Sequence, residues 1–554
     1  MKDDCKEVVF SGISLVEGKE PNVNFKIRDC INERTIELSI PRSEMTPKKV
    51  ENAIVSNNGI CEDAEEIFKN LIQAYNNNLR TQAIQIRRFY ESVGWKMDNG
   101  TIIYCGDNAI SNCNIPKSEY CGNIDLVPCG SIDNIVSMIK SEITGQPDWC
   151  KLEAVLCFSV GSLVLAYAND FWDADINNLI LHLFGGSSNG KSTALSLFVS
   201  VASNPTKKKG FWLSYSSTEG YLIKWIGNNN GLPVTIDEIS GVTKKEMDSF
   251  VYAIGNGEEK GRLKAGGVNM QESAVFQMVI LSSGEVSLLR KCTQNEGLRA
   301  RCIEFPNEMW TISSAQAKRI KACLKKNYAL IAPLVAQSLM EDSEYWKKRW
   351  EYYRKLVETE ITARKITCSI KDRVGEYVAL FTLAGEIINK TLNVDLDIEE
   401  IYKFCFLHIV VANDDEANMA RNAYYTIINY ISEHQDLFAD CTFIGGARTQ
   451  FDSIYLDADK EGFFYDCNDH EANGVIYNRV YVFRPGKVES ILADAGFTES
   501  RVALYKLRKE KLLKTKDAKR NTFNYVINDV ELKCIAVYYV NNTGKVCDLG
   551  EDEE

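Results

Sequence analysis

The sequence predicts an α/β protein organised around a phosphate-binding core, and three observations lead there. Residues 185–192 read GGSSNGKS, a complete G-x-x-x-x-G-K-S loop, with the apolar run Leu179–Phe184 before it and a helix-forming stretch, 193–202, after it. A second apolar run, 232–236, ends in the adjacent acids Asp237 and Glu238. A third, VFQMVILSSGE at 275–285, ends in Ser282 and Ser283. Short apolar runs alternating with helical segments are the pattern of a sheet covered by helices.

Along the chain, residues 1–147 read as a mixed α/β domain. FSGISLVEG, VNFKIRDC and TIELSIP alternate like strands, and CEDAEEIFKNLIQAYNN has a helical period. The GQP turn ending at Pro147 marks a boundary before a core running from 148 to 325. Its apolar stretch 152–168 is interrupted by Glu153, Ser159, Gly161 and Ser162, so it reads as a buried helix and not as a membrane span.

In that core, strand, glycine-rich turn and helix follow one another, so backbone N–H groups and a helix N-terminus can together cradle an anion. The candidate nucleotide-binding set is Gly185, Gly186, Ser187, Ser188, Asn189, Gly190, Lys191, Ser192 and Thr193. Lys191 would place its ammonium on the β- and γ-phosphates of ATP, and the Ser192 hydroxyl would ligate Mg²⁺. Asp237 offers the hard oxygen that Mg²⁺ prefers, directly or through water. Glu238 is the candidate base that orients the attacking water.

A polar residue at the tip of the third run is where AAA+ and superfamily-3 enzymes place a sensor of the γ-phosphate; Ser283 is the candidate, with Ser282 an even alternative. In EGLRARCIEFP, Arg301 is favoured over Arg299 as an arginine acting on a neighbouring subunit's site. Between the acids and the serines lies GNGEEKGRLKAGGVNM, where glycines punctuate Lys260, Arg262 and Lys264. That composition suits a flexible hairpin that follows single-stranded DNA in a pore.

These motifs together resemble a known family. HLFGGSSNGKST, the W-x-x-S-Y-S-S-T-E-G segment at 212–220, LPVTIDEI, IGNGEEKGRLKAGG, ILSSGE and GLRARCIEFP are similar to the domain of unknown function 927 family, as is ESVGWKMDNGTIIYCGD upstream. The resemblance covers residues 80 to 310 and extends loosely beyond. It includes the MCM-like helicases of staphylococcal cassette-chromosome and other mobile elements. It implies an AAA+ core, a hexameric ring, DNA as partner and ATP with Mg²⁺ as cofactors.

From 326 to 440 the pattern is helical. Trp346, Trp350, Tyr352 and Tyr353 fall at helical spacing, which favours packing over base stacking. Residues 441–545 contain a helix, a GFT turn, a second helix and a basic hairpin-like stretch, the layout of a winged helix. Between 501 and 520 stand nine lysines and arginines against two acids, among them Arg501, Lys506, Arg508 and Lys509, which suits a phosphate backbone. The acidic tail 546–554 closes the chain.

Composition is that of a large globular enzyme, with 45% apolar and 25% charged residues. A net charge of −12 excludes a uniformly basic nucleic-acid coat, so DNA contacts must be local. The N-terminus lacks an apolar leader, and the 18 cysteines read as reduced cytoplasmic thiols. Cys105, Cys113, Cys121 and Cys129 recur every eight residues, but none forms a C-x-x-C pair and the four histidines lie elsewhere, which argues against zinc. Three functions stay open: a ring helicase or translocase, an AAA+ protein remodeller or phage-defence ATPase, and an ATP-switched replication initiator.

Overall fold

The computed structural model describes residues 8–540 except 84–85, 147, 187, 240–243, 260–272, 290–291, 293–295, 413–418, 442–452, 473–474, 496, 498–499 and 518–519. The fold is mixed α/β. At the N-terminal end are β1 (Val9–Val16), β2 (Asn22–Asp29), β3 (Arg34–Pro41), α1 (Pro47–Val55), α2 (Ala64–Thr81), β4 (Arg87–Tyr90), β5 (Val93–Asp98), β6 (Thr101–Cys105), β7 (Ala109–Ile110) and β8 (Ser118–Tyr120). One sheet has the order β3-β2-β1-β4-β8. The two helices pack on it, each started by a side-chain cap: Thr46 accepts from the Lys49 N–H, and Asp63 accepts from the Glu66 N–H.

The central body follows, with α3 (Ile132–Ile139), α4 (Leu152–Phe171), β9 (Leu179–Phe184), α5 (Lys191–Ser200), β10 (Trp212–Ser214), α6 (Glu219–Ile226), β11 (Asn229–Asn230), β12 (Val234–Asp237), α7 (Lys244–Asn256), β13 (Val279–Gly284), α8 (Glu296–Arg299) and β14 (Cys302–Pro306). Five strands form an all-parallel sheet in the order β10-β12-β13-β9-β14. Parallel sheets are covered on both faces, which explains the near-continuous apolar runs that mark these strands. The strand carrying the serines therefore lies between the strand before the glycine-rich loop and the strand ending in the acids.

Short β11 leaves this region to pair with β5, giving a second small sheet, β11-β5-β6-β7. Gly94 makes this possible, because a Cβ there would lie 1.9 Å from the Asn230 carbonyl oxygen. Beside it Trp95 is buried against Tyr104, Tyr167 and Phe171 and donates to the Leu163 carbonyl at 2.9 Å. The GW pair in ESVGWKMDNG thus docks the N-terminal segment onto α4.

Helix α4 is long and apolar enough to cross a bilayer, yet 94% of its apolar window is buried inside the protein. It packs on α5 and β13. Glu153, in its first turn, is 3% exposed and accepts from the Asp397 N–H at 2.7 Å. Burial pushes its pKa up to about 7, against the Asp397 hydrogen bond that lowers it. A carboxyl with a raised folded-state pKa favours the fold fully below its ordinary range, and that advantage is lost as pH rises towards 7. Glu153→Gln keeps an acceptor for Asp397 and removes the titration. The variant should melt higher than the wild type above pH 7 and have a flatter melting profile from the ordinary carboxylate range upward. Identical pH slopes would place the cost elsewhere.

The helices α9 (Ser314–Leu324), α10 (Ile331–Glu341), α11 (Ser343–Ala363), α12 (Lys371–Leu392) and α13 (Ile398–Cys405) come next. Trp346, Trp350 and Tyr353 point inward from α11, whereas Tyr352 is exposed. One hydrophobic cluster runs from Val93 to Val410, so the sequence boundaries at 147 and 325 both fall within continuous packing.

The C-terminal body contains α14 (Met419–Glu433), β15 (Phe438–Asp440), β16 (Gly462–Ala472), β17 (Val475–Phe483), α15 (Lys487–Asp494), α16 (Ser500–Lys509), β18 (Phe523–Ile527) and β19 (Val530–Tyr539). Its sheet has five strands, β15-β16-β17-β19-β18. Strand alternation serves two cores. Tyr481 and Phe483 join the helices, while Val480 and Val482 join Phe463, Tyr525 and Cys534 on the other face. Ala420, Ala423, Ile427 and Ile431 put α14 into this C-terminal core, earlier than the boundary at 440 read from the sequence. The two helices expected there are α15 and α16, and the antiparallel pair β18-β19 after them belongs to a five-stranded sheet, larger than a two-stranded wing.

Candidate functional site

The candidate residues of the loop, the acids and the serines gather at the C-terminal ends of the parallel strands. At the end of β9 the chain turns through Gly185 (φ 130°), Ser188 (φ 75°) and Gly190 (φ 81°) into α5. A Cβ on Gly185 would meet the Asn307 side chain at 2.4 Å, and one on Gly190 would meet Thr311 at 2.5 Å. The loop is pinned from outside by Asn307 N–H to the Phe184 carbonyl and Trp310 N–H to the Asn189 carbonyl, both 2.8 Å. Only glycine fits at these two approaches. Ser187 lies outside the described residues.

Lys191 curls over this loop and donates to the carbonyls of Gly185 at 2.8 Å and Gly186 at 2.6 Å. Two carbonyl acceptors orient the ammonium without a carboxylate in those contacts. Ser192, one residue on, is exposed, and its Oγ accepts from Lys321 Nζ at 2.9 Å. Thr193 is 1% exposed, and its hydroxyl finds no hydrogen-bond partner among the described residues. A buried hydroxyl without a partner beside a glycine-rich loop fits a polar ligand.

The acids and serines lie alongside. Parallel register places Ile236 opposite Ser282, and Ser283 opposite Leu183. Ser283 Oγ donates to Asp237 Oδ1 at 2.7 Å, while Lys207 Nζ reaches Asp237 Oδ2 at 2.6 Å. Glu238 is exposed, sits at φ 63°, and lines a cavity of about 490 Å³ with Ser214, Tyr215, Ser217, Thr218 and Phe250. A side chain held in the left-handed region costs free energy that the surrounding fold must outweigh.

Ser282 faces the other way. It is fully buried, with His182 Nδ1 and the Tyr215 hydroxyl each 2.9 Å from its Oγ. His182 Nε2 is 2.9 Å from the Val286 carbonyl, which can only accept, so Nε2 carries the proton and Nδ1 accepts from Ser282. Ser282 in turn accepts from Tyr215. Burial pulls the His182 pKa down to about 4 and pushes that of Tyr215 up, which keeps both neutral. This chain of hydrogen bonds ties β9, β13 and the segment after β10 into one unit behind the acids.

Arg301 is not brought to this cluster. It precedes Cys302, which pairs with Ile180 at the start of β9, so it stands at the opposite end of the sheet. Its stem crosses Gly255, where a Cβ would lie 2.0 Å from Arg301 Cδ. Its guanidinium lies 5.6 Å from the Tyr252 ring centroid and donates to Asn256 at 3.3 Å. Arg299 ends α8 and is half-buried.

At that same end, Glu258 bridges Val275 antiparallel and the Glu259 N–H donates to the Ala274 carbonyl. The chain on either side of 260–272 is therefore joined. Lys260, Arg262 and Lys264 themselves lie outside the described residues. Strand β13 leads from this junction to Ser283.

The other basic candidates meet on α16. Ala503, Leu504 and Leu507 bury one face, while Arg501 and Lys509 are exposed and Lys506 and Arg508 half-buried. Arg508 and Lys509 lie 4.9 and 5.6 Å from the Tyr505 ring centroid. Of the evenly spaced cysteines, Cys105 is buried and Cys113 and Cys121 are exposed. Among the described residues no three His, Cys, Asp or Glu side chains converge on a metal-sized site.

Sequence reasoning missed Lys207, Lys321 and His182. Lys207 begins a visible KKK run after α5, and His182 interrupts an otherwise apolar strand; both were signals. Lys321 had none, being one of several lysines on an ordinary helix.

The family model described as "Domain of unknown function (DUF927)" matches residues 27–273, a span that holds the GW pair, the glycine-rich loop and the acids but stops short of Ser283 and Arg301. The chain resembles that family. Its fold is also similar to that of a solved structure described as "SCCmec type IV Cch - active helicase", with a TM-score of 0.70 at 20% identity, covering 96% of this chain and 93% of that one. No curated protein matches the chain.

Proposed function

We propose that the chain is an ATP-hydrolysing, ring-forming DNA helicase or translocase of the MCM-like AAA+ type, serving replication of a mobile genetic element. The observation that carries this reading is the layout of β13. One end meets Asp237 through Ser283, and the other adjoins the segment holding Lys260, Arg262 and Lys264. A nucleotide-dependent shift at the first end would move the second, and the cations there would draw the backbone of single-stranded DNA. The likeness in fold to a protein described as an active helicase supports the same reading.

The nucleotide-binding set spans Gly185 to Thr193, where the cradle and the unpartnered Thr193 hydroxyl fit a polyphosphate. Ser192 and Asp237 are the residues that would hold Mg²⁺, which neutralises charge developing between the β- and γ-phosphates. In this reading Lys191 binds the phosphates, Glu238 orients the attacking water and Ser283 holds Asp237 in place. Arg301, remote from its own loop, acts on the neighbouring subunit of a hexamer. The C-terminal body is the winged-helix-like unit, and Arg501, Lys506, Arg508 and Lys509 on α16 tether duplex DNA. Of the units read from the sequence, 1–147, 148–325 and 326–440 share one continuous core and 441–545 takes in α14 as well; the place of action is the cytoplasm.

Strand displacement on a forked duplex tests the proposal. The wild-type chain with ATP and Mg²⁺ should separate the strands, and a chain carrying Lys260→Ala and Lys264→Ala should hydrolyse ATP at its basal rate without unwinding. Unwinding by that double variant at the wild-type rate would overturn the pore model. ATP hydrolysis by the wild type without displacement would favour protein remodelling.

A further inference from the structure

Lys321 reaches the phosphate loop from a distant helix. Ser313 caps α9, and Arg319 anchors it by pairing with Glu142 at 2.6 and 2.9 Å. The helix lies against α5, and this fixed placement carries Lys321 Nζ to within 2.9 Å of Ser192 Oγ. Lys321 forms no ion pair among the described residues. Lys325, the C-cap residue of the same helix, stands one turn further on. Burial and the Lys325 charge hold the Lys321 pKa below the ordinary lysine value, opposed by the Asp237 carboxylate. The ammonium therefore feels both groups assigned to Mg²⁺, the serine by contact and the aspartate through its field.

Ser192 cannot serve an ammonium and a divalent cation at once, because the two positive charges repel at contact distance. The oxygens of a bound polyphosphate would offer a displaced ammonium new acceptors. Resting on the ATPase reading above, we infer that Lys321 is a second phosphate-binding cation of the site, which leaves Ser192 for the terminal phosphate when Mg²⁺-ATP binds. Lys191 serves either nucleotide by lying on the loop, whereas Lys321 approaches from the Ser192 and Asp237 side. Lys321 thereby makes the site discriminate triphosphate from diphosphate, and it couples α9 to the nucleotide state.

The test is equilibrium binding of ADP and of a non-hydrolysable ATP analogue, both with Mg²⁺, to the full chain. Lys321→Ala should weaken the triphosphate by about tenfold or more, the scale of a lost charge-assisted contact, and leave ADP within about twofold. Lys321→Arg, which keeps the charge, should recover most of the triphosphate affinity. Retained ADP binding also shows that the variant is folded. Equal weakening of both nucleotides, or no change in either, overturns the inference while leaving the ATPase reading standing. A wild-type chain that bound neither nucleotide would remove both.

Discussion

Lys191→Ala is expected to abolish nucleotide binding and hydrolysis together. The two carbonyl acceptors, Gly185 and Gly186, aim the ammonium across the mouth of the loop. Alanine removes the only side-chain cation of the loop itself and leaves the backbone N–H groups alone to face a highly charged ligand. A hydrogen bond to a charged group contributes about 1.5–3 kcal/mol to binding. A preorganised donor at developing transition-state charge contributes about 3–4 kcal/mol more, so turnover should drop by a factor on the order of 10² to 10³ beyond the binding loss. Titration calorimetry with ATP and a phosphate-release assay check both parts. The variant should fold normally, because Lys191 is half-exposed and its partners are backbone carbonyls of the loop. Near-wild-type hydrolysis would remove the loop from the mechanism.

Glu238→Gln should bind ATP like the wild type and lose turnover. Glutamine has the same shape and can sit at the same backbone angle, but it cannot accept a proton from water. The backbone adds a second, independent expectation. Glu238 has φ 63°, a conformation glycine adopts without penalty, so Glu238→Gly should stabilise the protein by about 1 kcal/mol while abolishing hydrolysis. A gain in stability together with a loss of activity is the signature of strain kept for function. Single-turnover hydrolysis and thermal melting measure the two effects. A Glu238→Gln protein that turns over ATP normally would mean that another group orients the water. A Glu238→Gly protein less stable than the wild type would mean that the glutamate side chain supports the fold.

Local features were legible in the sequence because their causes are local. The strand, the loop and α5 are contiguous, and the loop's two positive-φ glycines, Gly185 and Gly190, lie within the motif that announces them. The acids at the tip of β12 and the serines at the tip of β13 were readable in the same way, as polar ends to apolar runs. Which serine faces the acids was not readable. Successive strand residues point to opposite faces, and the choice between faces depends on what packs there. His182 and Tyr215 take Ser282 into the core, and Asp237 takes Ser283.

The extent of each body was also hidden. Helix α14 continues the helical pattern before it, and nothing in its composition says that its apolar face meets α15 and α16 rather than α12. The GW pair was visible as a signature, but its reason lies in Asn230 and Leu163, far along the chain.

By itself the sequence determined that this protein has an α/β core with a glycine-rich strand-to-helix loop and an acid-tipped strand, since backbone conformation and apolar periodicity are properties of short segments. Only the tertiary structure decided that Lys321 and Lys207 sit on Ser192 and Asp237, that Arg301 stands at the far end of the sheet, and that β13 joins the two ends. Those facts depend on strand order and on contacts between residues as far as 129 positions apart, which no local pattern encodes.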